Sequence, residues 1–309
     1  MNRARLTAGD LVEVRGPGEI LATLDGDGRL GGLPFMPEMA RMCGRRLRVH
    51  RRAEMTCVEG HGLRRISPVI LLEAARCDGA AHDGCQRNCL IFWNEAWLRP
   101  VEAAAAPAPT PIDDASARRR LEALPTRRGE AYLCQSTALA AISRPMSRWD
   151  LGHLLGDLAS GQLSFPRFLG LVRRGLVNQT RRRLGMADVG VIAGDDGDAT
   201  RGDLDLRSGD WVRVRAAQDI RATLGPDGRN RGLSFEPEMT GYIGEVRQVE
   251  FPVRRIILEE TGAMARLKHT VALRDVTCKG LCAQNCPRAN TLYWRESWLE
   301  RVEQQQAAE

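Results

Sequence analysis

Two cysteine-rich loops in this chain are copies of one pattern, and this duplication constrains the fold more than any other feature. The loops align without a gap at an offset of 201 residues. The aligned positions are Cys77, Cys85, Trp93 and Trp97 in the first loop and Cys278, Cys286, Trp294 and Trp298 in the second. The match predicts two copies of one domain, each organised around its cysteines.

The repeat extends well upstream of the cysteines. Residues 9–15 match residues 209–215 at an offset of 200, and the match continues through Pro37-Glu38-Met39 to Gly44. One inserted residue between Val49 and Cys77 accounts for the change of offset. Alternating apolar residues at 11–14 and an Asp-Gly turn at 27–28, both repeated in the second copy, predict β-strands joined by tight turns.

The order of strands and turns in each copy resembles that of SH3-like small barrels. Each copy opens on a Gly-Asp pair, such as Gly9-Asp10, continues through a long loop and three central strands, and ends in a short strand near Trp97-Leu98. The whole chain also resembles a type of bacterial protein with tandem barrels and cysteine loops. The resemblance implies an α+β fold, with two SH3-like β-barrel repeats that carry inserted cysteine loops, separated by a small helical domain.

Composition predicts where the domains begin and end. An Ala/Pro-rich stretch is typical of a stiff linker, and a Gly/Asp-rich stretch of a flexible one. Helical periodicity between them predicts helices over 131–142, from a capping box at Ser147 through Leu158, and over 164–185. The predicted order is a first barrel repeat with its metal loop (1–102), an Ala/Pro linker (103–112), a helical domain (113–185), a flexible linker (186–206), a second barrel repeat with its metal loop (207–303) and a tail (304–309).

The first loop contains a complete set of ligands for a metal ion. The set is Cys77, His82, Cys85 and Cys89, spaced C-x4-H-x2-C-x3-C. Three thiolates and one imidazole in a tetrahedral arrangement are typical of structural zinc. The chain has nine cysteines, most of them in the two loops, and no N-terminal apolar segment typical of a secretory signal. A reducing, cytoplasmic location is therefore expected, in which clustered thiols favour metal binding over disulfides.

The second loop lacks part of that set. Cys278, Cys282 and Cys286 remain, but Asn290 occupies the position of Cys89. His269 or Cys134 could supply the fourth ligand. Alternatively the fourth position is open, as in catalytic metal sites.

An iron–sulfur cluster is the alternative cofactor for both loops. Pro287 after Cys286 is similar to the Cys-Pro ending of ferredoxin-type motifs, although the spacing matches neither ferredoxin pattern. Zinc is favoured because a Cys₃His set suits zinc better than a cluster. Cys43 and Cys57 have no counterparts in the other copy and are expected to be free thiols without a function.

Two groups of residues are candidates for partner binding. The first is the tryptophans, which either form the core beside the metal loops or stack on a base or sugar: Trp93, Trp97, Trp294 and Trp298. The second is the arginines near the end of the last predicted helix, which either stabilise that helix end or contact phosphates: Arg173, Arg174, Arg181, Arg182 and Arg183. A net charge of +6 and a pI near 9.0 are compatible with a polyanionic partner.

The sequence contains no motif that defines a catalytic activity. A phosphate-binding glycine loop, an H-E-x-x-H motif and a nucleophile elbow are all absent. No apolar run approaches the ~18 residues of a membrane span. The expected function is a metal-stabilised, zinc-favoured binding or scaffold module that docks protein or nucleic-acid partners. The alternative is an iron–sulfur or metal-dependent enzyme that uses the incomplete second loop.

Overall fold

A computed structural model describes residues 5–101, 114–147, 150–194, 204–281 and 284–303. The predicted Ala/Pro linker and the tail lie outside the described residues, as do Cys282 and residues 195–203 of the predicted flexible linker. The fold is mixed α+β with antiparallel sheets. None of the described helices combines the length and the apolar character that crossing a membrane requires.

Strands account for most of both copies. In the first copy they are β1 (Leu11–Val14), β2 (Arg29–Leu30), β3 (Leu33–Pro34), β4 (Arg46–Val58), β5 (Gly62–Arg76), β6 (Leu90–Trp93) and β7 (Leu98–Pro100). Between the copies lie β8 (Arg127–Arg128), β9 (Ala131–Tyr132) and β10 (Ser143–Pro145). The second copy has β11 (Trp211–Val214), β12 (Arg229–Asn230), β13 (Leu233–Ser234), β14 (Val246–Pro252), β15 (Arg255–Ile257), β16 (Met264–Arg266), β17 (Thr270–Thr277), β18 (Thr291–Arg295) and β19 (Leu299–Arg301).

Helices are short within the copies and longer between them. The α-helices are α1 (Pro17–Leu21), α2 (Asp114–Glu122), α3 (Gln135–Ile142), α4 (Gly152–Ala159), α5 (Phe165–Arg183) and α6 (Ala217–Arg221). The 3₁₀ helices are Pro37–Met42, Glu95–Trp97, Met239–Tyr242 and Glu296–Trp298.

The two copies share one strand order. The sheet of the first copy runs β10-β5-β4-β1-β7, with β6 also paired to β5, and that of the second runs β18-β17-β14-β11-β19. In each copy the first strand pairs with the last: Val12 lies opposite Pro100, and Val212 lies opposite Arg301. Alternate residues of the first strand are buried, as the sequence pattern predicts.

The chain divides into two compact units that do not coincide with the two copies. Unit 1 comprises residues 1–168, 257–265 and 283–289, and unit 2 comprises residues 169–256, 266–282 and 290–309. Two segments of the second copy, one from the β15–β16 hairpin and one from the second cysteine loop, therefore belong to unit 1. Sequence alignment of the copies assigns these segments to the second barrel, because alignment carries no information on tertiary contacts.

The helices between the copies differ in part from those predicted. Helix α3 begins at Gln135 rather than at Ala131, because β8 and β9 form a small hairpin in which Gly129 has a φ of +59°. Residues 148–149 of the predicted capping box lie outside the described residues. Helix α5 forms close to the predicted range.

Helices α2 and α3 pack on the core of the first copy. Leu121 of α2 and Leu139 of α3 are fully buried in the same apolar cluster as Val12. Gln135, at the start of α3, accepts a hydrogen bond from the Phe92 N–H and donates one to the Phe92 carbonyl, both at 2.8 Å. This clamp fixes the N-terminus of α3 against β6, next to the first cysteine loop.

Candidate metal centre

Three potential metal ligands meet at the start of the first cysteine loop. Within the described part of the chain, Glu38, Cys77 and His82 are the one group of three whose ligand atoms lie within 4.8 Å of one another. Glu38 Oε1 lies 2.6 Å from His82 Nδ1 and 3.8 Å from Cys77 Sγ. The side chains of Glu38 and His82 are each 1% exposed. This group could hold a metal ion.

Local backbone structure brings these side chains together. Glu38 lies in the 3₁₀ helix that Pro37 begins, and its carboxylate accepts a hydrogen bond from the Ala81 N–H at 3.2 Å. Gly79 has a φ of +68°, and the His82 N–H donates to its carbonyl at 2.9 Å. A Cβ atom at Gly79 would lie 2.0 Å from the Cys85 carbonyl oxygen, so only glycine permits this turn.

Glu38 was not identified from the sequence as a site residue. The signal that could have found it is the Pro-Glu-Met triplet, which occurs in both copies. In the second copy, Glu238 accepts a hydrogen bond from the Lys279 N–H at 2.6 Å, directly after Cys278. The glutamate thus holds the start of the cysteine loop in each copy.

Both ring nitrogens of His82 have hydrogen-bond acceptors as neighbours. Nδ1 faces the Glu38 carboxylate, and Nε2 lies 2.9 Å from the Leu133 carbonyl oxygen. Burial alone would lower the pKa of His82, but the hydrogen bond and the charge of Glu38 raise it overall. Coordination of a metal by His82 would therefore replace one of two hydrogen bonds.

All three cysteines of the first loop line one cavity together with Cys134. Its lining includes Cys77, Cys85, Cys89 and Cys134. Burial raises the pKa of the thiols of Cys77 and Cys85, and raises that of Cys134 to about 11. Cys134 was a candidate fourth ligand for the second loop in the sequence analysis. It lies instead at the N-cap of α3, beside the first loop.

The predicted ligands of the second loop are distributed between the two units. Cys278 belongs to unit 2, where it packs against the apolar core, whereas Cys286 belongs to unit 1. His269 and Cys278 flank opposite ends of β17, which at roughly 3.3 Å per residue separates them by about 30 Å. His269 instead lies 3.6 Å from the Glu296 carboxylate. This separation argues against His269 as a ligand beside Cys278.

Cys286 pairs with Cys57, a cysteine to which the sequence assigned no role. The two sulfur atoms are 3.2 Å apart, and the Cys57 N–H donates to Cys286 Sγ at 3.2 Å. The hydrogen bond between the thiols lowers the pKa of Cys286 and raises that of Cys57. Cys286 therefore has a thiol partner within unit 1.

A buried ion pair lies next to the two sulfurs. Arg288 donates to the Glu259 carboxylate, in one contact at 3.0 Å, and to the Cys57 carbonyl at 2.9 Å. The Arg288 and Glu259 side chains are 5% and 0% exposed. Arg87 of the first loop also donates to Glu259. These contacts explain why the two segments that contain Glu259 and Arg288 belong to unit 1.

The four tryptophans are core residues. All are fully buried: Trp93, Trp97, Trp294 and Trp298. Each copy repeats one contact, in which the second tryptophan donates to a threonine hydroxyl: Trp97 to Thr23 at 3.0 Å and Trp298 to Thr223 at 3.1 Å. A fully buried ring offers no face to a base or sugar, so this packing argues against the stacking role.

Three of the five arginines on α5 bind the segment that follows the helix. Arg174 donates to the Val189 carbonyl, Arg181 to the Ala187 carbonyl, and Arg182 forms an ion pair with Asp188. Arg173 and Arg183 are exposed. The geometry fits stabilisation of the helix end better than phosphate binding, since most of the cluster already has acceptors.

Comparisons with protein-family models, curated proteins and solved structures gave no match.

Proposed function

We propose that this protein is a metal-stabilised binding module with two SH3-like barrels, in which the first cysteine loop holds the metal that stabilises unit 1. The main support for a bound metal is the buried group formed by Glu38, Cys77 and His82. Glu38 Oε2 is buried without a hydrogen-bond partner. An unpartnered buried carboxylate oxygen is costly, and a cation at this position would offset that cost.

A binding role is supported by an apolar surface on α5. Three side chains of α5 and one directly after it are exposed at helical spacing: Leu169 by 50%, Leu176 by 55%, Val177 by 41% and Leu184 by 70%. They recur at intervals of seven and eight residues, which places them along one side of the helix. Exposed apolar stripes of this kind are typical of protein interaction sites. The stripe fits the apolar face of a partner protein better than a polyanion.

Leu176→Asp is expected to abolish binding of a protein partner through this stripe without unfolding unit 2, because Leu176 is an exposed residue. The measurement is affinity capture with quantitative mass spectrometry, which compares the parent chain with the variant. Leu176→Met is the matched control, since it keeps the apolar surface. Equal recovery of every captured protein with Leu176→Asp and with the parent chain would contradict the proposal.

Nucleic-acid binding is expected to be weak and to depend little on the arginines of α5. If they contacted phosphates, the logarithm of affinity would fall linearly with the logarithm of salt concentration, and Arg173→Gln with Arg183→Gln would reduce that slope by about 2. Fluorescence anisotropy with single- and double-stranded oligonucleotides measures this slope. A steep salt dependence that these two substitutions reduce would favour a nucleic-acid partner instead.

The enzymatic alternative requires the second loop to form a reactive metal site. No observation in the described residues favours it, since Cys286 has Cys57 as its partner. The proposal is therefore a binding module whose metal is structural. The metal class depends on whether His82 is a ligand, because a Cys₃His set is typical of zinc.

A further inference from the structure

The cavity of the first cysteine loop is bordered by four thiols. Cys77, Cys85 and Cys89 come from the loop and Cys134 comes from the N-cap of α3. The volume of the cavity is about 30 Å³, more than the ~10–15 Å³ that one water molecule requires. Its other lining is largely apolar and includes Leu90, Ile91 and Phe92. Cys85 is buried and the other three cysteines are half-buried. Deprotonated thiols grouped in this way are typical metal ligands.

The backbone holds each thiol in place by a separate device. The Cys77 N–H donates to the Cys89 carbonyl at 2.9 Å, which closes the neck of the loop. The turn at Gly79 brings Cys85 back over this neck. The clamp between Gln135 and Phe92 fixes Cys134, and Ser136 Oγ lies 3.4 Å from Cys89 Sγ. The four positions are thus set by β5, β6, the loop and α3 together.

Two arginines, both paired with Glu259, and the N-terminus of α3 lie beside the cavity. Arg87 and Arg288 both contribute to its lining. The N-terminus of α3, which carries the positive end of the helix dipole, adjoins Cys134.

The four sulfur atoms do not form the compact set that a single tetrahedral ion requires. Tetrahedral zinc with Zn–S bonds of about 2.3 Å places its sulfurs about 3.8 Å apart. All four cysteines are among the described residues, and no three of their sulfurs lie within 4.8 Å of one another. In a cluster the cysteine ligands bind different iron atoms around a shared core, so they stand farther apart. The histidine of a Cys₃His zinc set is also engaged, by Glu38 and the Leu133 carbonyl.

We propose that Cys77, Cys85, Cys89 and Cys134 bind an iron–sulfur cluster, and that Glu38 and His82 position the loop beside it. This inference rests on the proposal that the first cysteine loop holds a metal, but it exchanges the Glu38–Cys77–His82 group for four cysteine ligands. It replaces zinc by a cluster and assigns Cys134 to the first loop rather than to the second. The α3 segment is then attached to the first copy through the cluster as well as through Gln135.

The test is anaerobic purification of the full chain, followed by analysis of iron, acid-labile sulfide and zinc. The expected result is brown protein with absorbance near 400 nm and with equal amounts of iron and sulfide. Cys134→Ser should lose most of the iron and the absorbance, whereas Cys43→Ser, the substitution of a buried cysteine outside the cavity, should retain both. A Cys134→Ser variant with full iron content would overturn the ligand set.

Chemical labelling of the parent chain tests the same proposal and does not require any variant to fold. Iodoacetamide labelling, read by mass spectrometry, should leave Cys77, Cys85, Cys89 and Cys134 unmodified until a chelator and an oxidant remove the cluster. Labelling of Cys134 at the same rate before and after removal would overturn the proposal. Colourless protein with stoichiometric zinc would overturn the proposal of a cluster. It would still agree with the proposal of a metal-stabilised module. Folded protein without any metal would overturn both.

Discussion

Cys77→Ser is expected to abolish the cooperative unfolding transition of unit 1, with the full chain as the protein tested. Structural zinc contributes about 10–16 kcal/mol in small peptides, which equals or exceeds the ~5–15 kcal/mol stability of a whole domain. Cys77 belongs both to the Glu38–Cys77–His82 group and to the cysteine cavity. Loss of this thiol should therefore release the metal in either arrangement. Differential scanning calorimetry of the parent and variant chains measures the transition.

Cys43→Ser is the matched control for this prediction. Cys43 is 9% exposed, packs in the core of the first copy and lines no part of the cavity. Its replacement should cost on the order of 1–3 kcal/mol, the usual penalty for a buried polar group without a partner. An unfolding temperature for Cys77→Ser equal to or above that of Cys43→Ser would refute a structural metal at the first loop.

Glu259→Gln should destabilise unit 1 by about 3–5 kcal/mol, the usual cost of removing one partner from a buried ion pair. Arg288 would keep its charge but lose its carboxylate, while Glu259 also accepts hydrogen bonds from Arg87 and from the Glu59 N–H. Chemical denaturation at neutral pH measures the change in the free energy of unfolding. Glu260→Gln, at the neighbouring exposed position, is the control and should change stability little.

The pH dependence of stability gives a second measurement on Glu259. Burial alone would raise the pKa of this carboxyl, but the charge of Arg288 and its hydrogen bonds lower it overall from the ordinary value of 4.5. Its contribution to stability is therefore present above pH 4.5 and is lost as the pH falls through the folded-state pKa. The stability difference between the parent chain and Glu259→Gln should accordingly shrink in acid. A constant difference from pH 7 to pH 3 would contradict a charged Glu259.

Local features of the fold could be predicted from the sequence because they depend on neighbouring residues. The alternating pattern at 11–14 predicts β1, and the repeat predicts the shared strand order of the two copies. The Ser164-Phe-Pro166 start predicts α5 within a few residues. These signals arise from side-chain periodicity and turn chemistry, which act over short distances along the chain.

The composition of unit 1 and of the candidate site could not be predicted, because both depend on contacts between distant residues. Glu38 bonds to His82, which is 44 residues away in the sequence, and the clamp between Gln135 and Phe92 holds Cys134 beside the loop. The pairing of Cys57 with Cys286 joins positions in different copies. Ligand spacing in the sequence therefore indicated a metal loop but not its complete set of ligands.

The most direct test of a structural metal in unit 1 is calorimetry of the parent chain before and after metal removal, with element analysis of both samples. We predict a stoichiometric metal in the starting sample, and loss of one of two unfolding transitions when the metal is removed. Restoration of the metal under reducing conditions should restore that transition. A starting sample that contains no metal and unfolds at the same temperatures after treatment with chelator would contradict the account.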